Sequence, residues 1–428
     1  MKAVSNKPGV AVVGGGWAGC AAALTLAEAG VVVTLYEAGR TLGGRARAVE
    51  LEGQSLDNGQ HILLGAYEQT LQLIDCLRPA AASDGLWRLP LTLEQPPDFR
   101  LACPRLPAPL HLLAGLLGAR GLGWGEKLSA ARWAHALLND TASSDHQSVS
   151  QLTRSQPEKL NRLLWHPLCV SALNTPPEIA SARVFRDVIR AAFGGRSDHS
   201  DLLLPRRDLT ALFPAPAAAR LIELGGETRL ACRVTTLDAT ADAVALGTRD
   251  GSAAYSHVIL AVAPQHLPAL ATQVPALEAA ARAIATYEYQ PIATGYVQYE
   301  DAFRLPRPLF ALANGPAQFV FDRGQSHGQP GLLAFVASAA VNLPADWLEQ
   351  AEAQLLRVAQ PGSARWRKRI VEKQATYACT PGMTRPASRT AHPRIYLAGD
   401  YTAGPYPATL ESATRSGVQS ARALLEQL

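Results

Sequence analysis

Gly14-Gly15-Gly16-Trp17-Ala18-Gly19 has the spacing G-x-G-x-x-G. It follows the apolar run Gly9–Val13 and opens an Ala/Leu-rich stretch, Trp17–Ala29. A strand, a glycine turn and a helix in that order form a berth for a dinucleotide. The first glycine allows the tight turn, the second lets a pyrophosphate reach the backbone, and the third lets helix and strand pack closely. The helix N-terminus then offers N–H donors and the positive end of its dipole to the phosphates. Glu37-Ala38 ends the next apolar run, Val31–Tyr36, about 20 residues further on, where an acid meets a ribose diol and disfavours a 2′-phosphate.

Arg40-Thr41-Leu42-Gly43-Gly44-Arg45 follows at once. Gly43 and Gly44 free the backbone to pass a bulky ligand, and Arg45 can meet a phosphate through charge-assisted hydrogen bonds. This second glycine pair favours FAD over NAD, and it resembles the R-x-G-G-R element of the amine oxidase and phytoene desaturase flavoproteins. Asp57-Asn58-Gly59-Gln60-His61 is a polar turn between apolar runs, and Gly59 would let the chain approach a flat ring. Leu397-Ala398-Gly399-Asp400 ends a strand near the C-terminus, and a helix follows from Thr409 and Leu410. The pair resembles the C-terminal FAD element of the same superfamily. There the acid bonds the ribityl chain, and the helix N-terminus faces the flavin pyrimidine, where negative charge grows on reduction.

Strands and a helix must position these groups. Gly9–Val13, Trp17–Ala29 and Val31–Tyr36 form a β–α–β unit, with Gly30 ending the helix. Thr228–Leu237, Ala243–Thr248, His257–Ala263 and Arg394–Ala398 are further expected strands, with a turn at Arg249-Asp250-Gly251-Ser252 and a loop over Asp140–Ser150. The expected fold is α/β: a discontinuous Rossmann-like FAD-binding domain over 1–75, 205–270 and 373–428. An inserted α+β substrate domain, amine oxidase/phytoene desaturase-like, would be built from 76–204 and 271–372.

Composition bounds the class. The chain has 428 residues, 48% hydrophobic and 18% charged, enough for two or three domains and a sizeable core. A net charge of +4, evenly spread, argues against nucleic acid. Cys20, Cys76, Cys103, Cys169, Cys232 and Cys379 contain no C-x-x-C pair, so no zinc or iron–sulfur site is expected; scattered thiols suit a reducing cytosol. Lys2, Lys7 and the apolar run from Val10 imitate a signal peptide, but Gly14–Gly16 interrupt it and cleavage near Cys20 would destroy the glycine motif. No stretch is long and apolar enough for a transmembrane helix. The Leu-rich segment Leu101–Leu122, flanked by Arg105 and Arg120, is either a buried helix or tunnel wall, or a monotopic membrane-contacting patch.

Four segments carry a closer resemblance: Asp57–Tyr67 (DNGQHILLGAY), Trp165–Pro177 (WHPLCVSALNTPP), Leu202–Leu209 (LLLPRRDL) and Pro407–Gly417 (PATLESATRSG). They resemble the hydroxysqualene dehydroxylases, the squalene-associated FAD-dependent proteins of bacterial hopanoid pathways, and the similarity spans nearly the whole chain. The resemblance implies an FAD enzyme that reduces the C30 isoprenoid hydroxysqualene to squalene, and the expected place of that reaction is the cytoplasmic membrane face. It also implies that Glu37 holds the adenosine ribose, Arg45 the pyrophosphate and Asp400 the ribityl chain, with Val234 against the adenine. Tyr401 and Gly404-Pro405-Tyr406 depart from the family pattern. Exchanging C–OH for C–H needs an acid for the departing hydroxyl, a dry pocket so that water does not recapture the cationic carbon, and aromatic faces to stabilise it. His61 is the first candidate acid; Asp57 is the second, with bracing of the turn its more expected role; Tyr401 and Tyr406 are the candidate aromatic faces. The rivals are an isoprenoid desaturase running the other way, an amine oxidase and a flavin-bound non-enzyme. Many amine oxidases place a lysine near the flavin, and no lysine falls between 271 and 367.

Overall fold

A computed structural model describes residues 9–77, 85–139 and 145–428. Among these, a parallel sheet runs in the order Glu227–Arg229, Val33–Tyr36, Val10–Val13, His257–Leu260, Ile395–Leu397. Its central strands are buried on both faces, which accounts for their unbroken apolar sequence. Side chains alternate across the sheet. Val10, Val12, Val33, Leu35 and Ile259 pack beneath helices Trp17–Glu28 and Leu410–Leu425. Ala11, Val13, Val258, Leu260 and Leu397 face the other way, toward an antiparallel meander of Val234–Ala239, Val244–Thr248 and Gly251–Tyr255. The result is a three-layered α/β unit drawn from both ends and the middle of the chain.

A second, antiparallel sheet runs Leu309–Ala311, Phe319–Asp322, Leu332–Ala337, Tyr289–Gln298, Trp366–Tyr377. Helix Trp347–Leu355 covers one face. The other presents Tyr296, Phe321, Ala334 and Val336, with Ile292, Phe319 and Ile370 partly buried beside them. Trp366–Tyr377 stays paired with Tyr289–Gln298, so this sheet runs past the expected boundary at 373.

Several expectations need correction. Thr228–Leu237 is two strands in two sheets. Glu227–Arg229 pairs with Val33–Tyr36, the chain turns at Ala231 (φ 52°), and Val234–Ala239 joins the meander. His257–Ala263 keeps its ladder only to Leu260, and Ala261–Ala263 line the cavity described below. In the expected loop 140–150, residues 140–144 lie outside the described residues. Val149–Thr153 is a helix with a Ser148–Gln151 capping box, and Val149 is buried.

Leu101–Leu122 is not one element. It holds the end of strand Phe99–Ala102, a proline-rich turn and the eight-residue helix Leu110–Leu117. None of its residues lines the cavity, which removes the tunnel-wall reading. His111 and Gly115 face inward, while Leu110, Leu113 and Leu117 are 53%, 46% and 47% exposed. No helix among the described residues is long and apolar enough to cross a membrane.

Candidate active site

The glycine turn has the division of labour expected from its spacing. Gly14 sits at φ 112° and its N–H donates to Tyr36 O at 2.8 Å; a side chain there would run into Ala261 O. A β-carbon on Gly19 would overlap the Gly14 carbonyl, so Gly19 serves packing and does not line the cavity. Gly16 precedes the helix with no side-chain cap, leaving the first-turn N–H groups open toward Gly14, Trp17 and Ala18 of the cavity wall. Trp17 is anchored by its indole N–H to Ala46 O at 3.0 Å.

Glu37 accepts from Gly15 N (2.7 Å) and Gly39 N (2.6 Å), which holds its carboxylate beside the turn. Ala38, Arg40 and Val234 line the same end of the cavity. Beside Gly15 and Gly16, Gly43 and Gly44 both take positive φ, and Arg45 reaches Asp400 Oδ1 at 2.6 Å and Ala375 O at 2.7 Å. Burial works against the Arg45 charge, but Asp400, with Glu372 and Tyr289, outweighs it and raises the guanidinium pKa. Gly399, Asp400, Thr409 and Leu410 line the cavity opposite; Thr409 Oγ1 caps the C-terminal helix by accepting from Ser412 N at 3.1 Å.

The cavity holds about 1780 Å³. A single-ligand pocket spans roughly 300–1,000 Å³, so there is room for a dinucleotide and a second ligand. Past the turn Asn58–His61 the wall becomes apolar: Leu93, Phe99, Leu163, Leu164, Ile189, Phe193, Phe319, Phe321, Val336 and Ile370. Leu163 and Leu164 lie in the π-helical turn Asn161–Trp165. Arg154, Glu158, Arg162 and Glu178 are exposed and mark a polar rim.

Gly59, Gln60 and His61 line the cavity on a turn held between Arg45, whose carbonyl accepts from Asn58 Nδ2, and Thr294 of the second sheet, whose Oγ1 accepts from Gln60 N. His61 Nδ1 lies 2.7 Å from Gly59 O, and a carbonyl only accepts, so Nδ1 carries the proton. Burial lowers the His61 pKa below its usual 6.5, against the pull of Gly59 O and Asp57. Of the two roles open to Asp57, the structure places it as the brace of the turn. It does not line the cavity, and its carboxylate accepts from Leu209 N at 2.8 Å and Arg323 Nη1 at 3.2 Å. Tyr401 and Tyr406 both line the cavity. The Tyr401 ring lies against Gly399, and its buried hydroxyl has no partner among the described residues. Tyr406 donates to Ala66 O at 3.2 Å and carries Arg415 over its ring at 5.1 Å.

Sequence reasoning missed the second ring of support. Asn58 Nδ2 donates to Glu372 Oε2 at 3.0 Å, and Glu372 lines the cavity. Asn174, from the LNTPP segment, takes a left-handed conformation (φ 46°). Its amide donates to Gln290 O (3.2 Å) and Thr376 Oγ1 (3.0 Å) and accepts from Ala339 N (2.6 Å). All of these partners are distant in sequence, so no local spacing announces them.

A three-layered nucleotide-binding unit, an uncapped helix at the glycine turn, and an Arg45–Asp400 pair joining the chain's two ends fit FAD; this is an FAD-dependent oxidoreductase. The profile described as "Flavin containing amine oxidoreductase" matches residues 17–425, and the chain belongs to that family. Hydroxysqualene dehydroxylases of Rhodopseudomonas palustris (29% identical, 97% of this chain and 98% of that one) and Sinorhizobium fredii (25%, 98% and 98%) align along almost their full length. A solved putrescine oxidase variant shares the fold, with a TM-score of 0.75 at 17% identity over 99% of each chain.

Proposed function

We propose that this protein reduces hydroxysqualene to squalene, removing the hydroxyl as water, in bacterial hopanoid synthesis. The observation that carries the reading is the apolar chamber opening from the FAD cradle at Asn58–His61. Reduced FAD, when bound, supplies hydride. The chain's own residues do the rest. The leucine and phenylalanine wall takes up a C30 isoprenoid and keeps out water that would recapture a cationic carbon. Tyr406 offers a ring face to that carbon, and the fully buried Tyr401 packs against Gly399 behind it. His61, protonated in a minor fraction, gives its proton to the leaving oxygen. No lysine among the described residues lines the cavity, which speaks against an amine oxidase.

A substrate this apolar resides in lipid. The face formed by Leu110, Leu113 and Leu117 continues into exposed Trp124 and Leu128, with Arg105, Arg120 and Arg132 exposed around it. Apolar anchors ringed by cations suit an anionic bilayer surface. We assign this face to the cytoplasmic side of the cell membrane. Anaerobic incubation of the reduced protein with hydroxysqualene, and separately of the oxidised protein with squalene, tests the reading. Squalene from the first supports it; a more unsaturated hydrocarbon from the second alone would favour a desaturase.

A further inference from the structure

Arg323 is wholly buried and does not line the cavity. It follows the strand Phe319–Asp322, whose Phe319 and Phe321 form part of the apolar wall. Its guanidinium forks three ways. Nη1 donates to Asp57 Oδ2 at 3.2 Å and to Gln60 Oε1 at 2.8 Å, and Nε donates to Gln329 Oε1 at 2.6 Å. Asp57 is held in turn by Leu209 N, and its carbonyl accepts from Tyr296 OH at 2.8 Å. Gly59, at φ 103°, is closed back on Asp57 by an N–H···O bond of 2.7 Å. One buried cation therefore grips, from behind, the turn that faces the flavin berth, and it does so from the short helix Arg323–His327 that directly follows the strand walling the chamber.

We infer that Arg323 is a positioning residue: by turning the Gln60 amide away from the cavity and pinning Asp57, it sets the Asn58–His61 turn against the flavin and ties that setting to the chamber wall. A buried pair of this kind adds little net stability over a well-packed substitute, so its retention calls for a reason other than folding. A planar fork serves several acceptors at once, which an ammonium does not.

Three variants of the full-length holoprotein test this. Arg323→Lys keeps the charge opposite Asp57 but loses the fork. Asp57→Asn with Arg323→Gln removes both charges together. Gln60→Met removes the amide and leaves the ion pair in place. The readouts are thermal stability, the visible circular dichroism of the bound flavin, and kcat with KM for the reduction proposed above. Stability should follow the charge pairing, so that Arg323→Lys and Gln60→Met melt near the wild type. The flavin signal should follow the fork and change in all three variants. The value of kcat should fall about tenfold to a hundredfold with KM little changed, as for a reacting centre misplaced by about 1 Å. A wild-type flavin signal in Gln60→Met, or flavin signal and kcat both restored by Arg323→Lys, would overturn the inference. The kcat arm rests on the proposed reaction; the dichroism needs no substrate and stands if that reaction fails.

Discussion

A β-carbon built on Gly16 would lie 3.8 Å from Cα of Gly44 and meet no other atom of the described residues within 4 Å. The two glycine turns, one after each of the first two parallel strands, thus face one another with bare backbone. Gly43 N bonds to Gly15 O at 2.8 Å to hold them at that spacing. The turns touch through bare backbone, and no side chain of the described residues stands between them and the cavity that Gly14, Gly16, Gly43 and Gly44 line.

Gly16→Val is accordingly expected to fold and to be colourless. Its φ of −73° is ordinary for any residue, so the added isopropyl group crowds only Gly44 and the cavity that the two glycines line. The ratio of flavin absorbance to protein absorbance after purification measures this. Near-stoichiometric FAD in the variant would refute the placement.

His61 carries a pH signature. Its pKa lies below 6.5 because burial disfavours the cation, so its acidic form grows as pH falls through the region below neutrality. The single-turnover rate at saturating substrate should therefore climb from pH 7.5 to 6 without levelling off at 6.5. His61→Ala should keep FAD and lose that slope, with a rate reduced about 10²-fold or more. An unchanged slope in the variant would remove His61 as the proton donor.

A second histidine records acid sensitivity of the fold. Burial first, and then Arg323, hold His327 down to about 2, whereas the unfolded chain titrates near 6.5. The unfolded state thus binds a proton below pH 6.5 that the native state does not. Stability is intact above that pH and is lost as pH falls, at up to about 1.4 kcal/mol per pH unit from this group. Urea midpoints between pH 7 and 5 should show a shallower decline in His327→Gln. Parallel lines for the two proteins would contradict this.

For the lipid face, Leu110→Ser with Leu113→Ser and Leu117→Ser should weaken co-sedimentation with anionic vesicles roughly a hundredfold, at roughly 1 kcal/mol per leucine. The flavin content should stay unchanged, because none of the three lines the cavity. Equal sedimentation of variant and wild type would remove this face as the contact.

What could be read from the sequence was what short-range geometry determines. Gly14 to Arg45 is a single β–α–β unit with its continuation, so its spacing alone locates the turn, Glu37 beside it and the second glycine pair. The C-terminal element was legible for the same reason, since Asp400 and the Thr409 cap lie on consecutive elements. Asp57 kept two roles in the sequence, acid and brace, because a carboxylate in a turn looks alike whether it faces a ligand or, as here, a guanidinium 266 residues away. The break inside Thr228–Leu237 falls at Ala231, which adopts positive φ without a glycine to announce it. The Leu101–Leu122 segment was ambiguous because leucine stands on nearly every side of an eight-residue helix, and only tertiary packing decides which leucines are covered.

The central claim is that hydride from FAD held at this cradle replaces a hydroxyl in the adjoining apolar chamber. Anaerobic stopped-flow mixing of the fully reduced protein with one equivalent of hydroxysqualene tests it most directly, with extraction and product analysis at matched times. The expected result is the return of oxidised flavin absorbance in step with squalene, one for one. Flavin that stays reduced in the presence of bound substrate, or that reoxidises with no squalene formed, would contradict it.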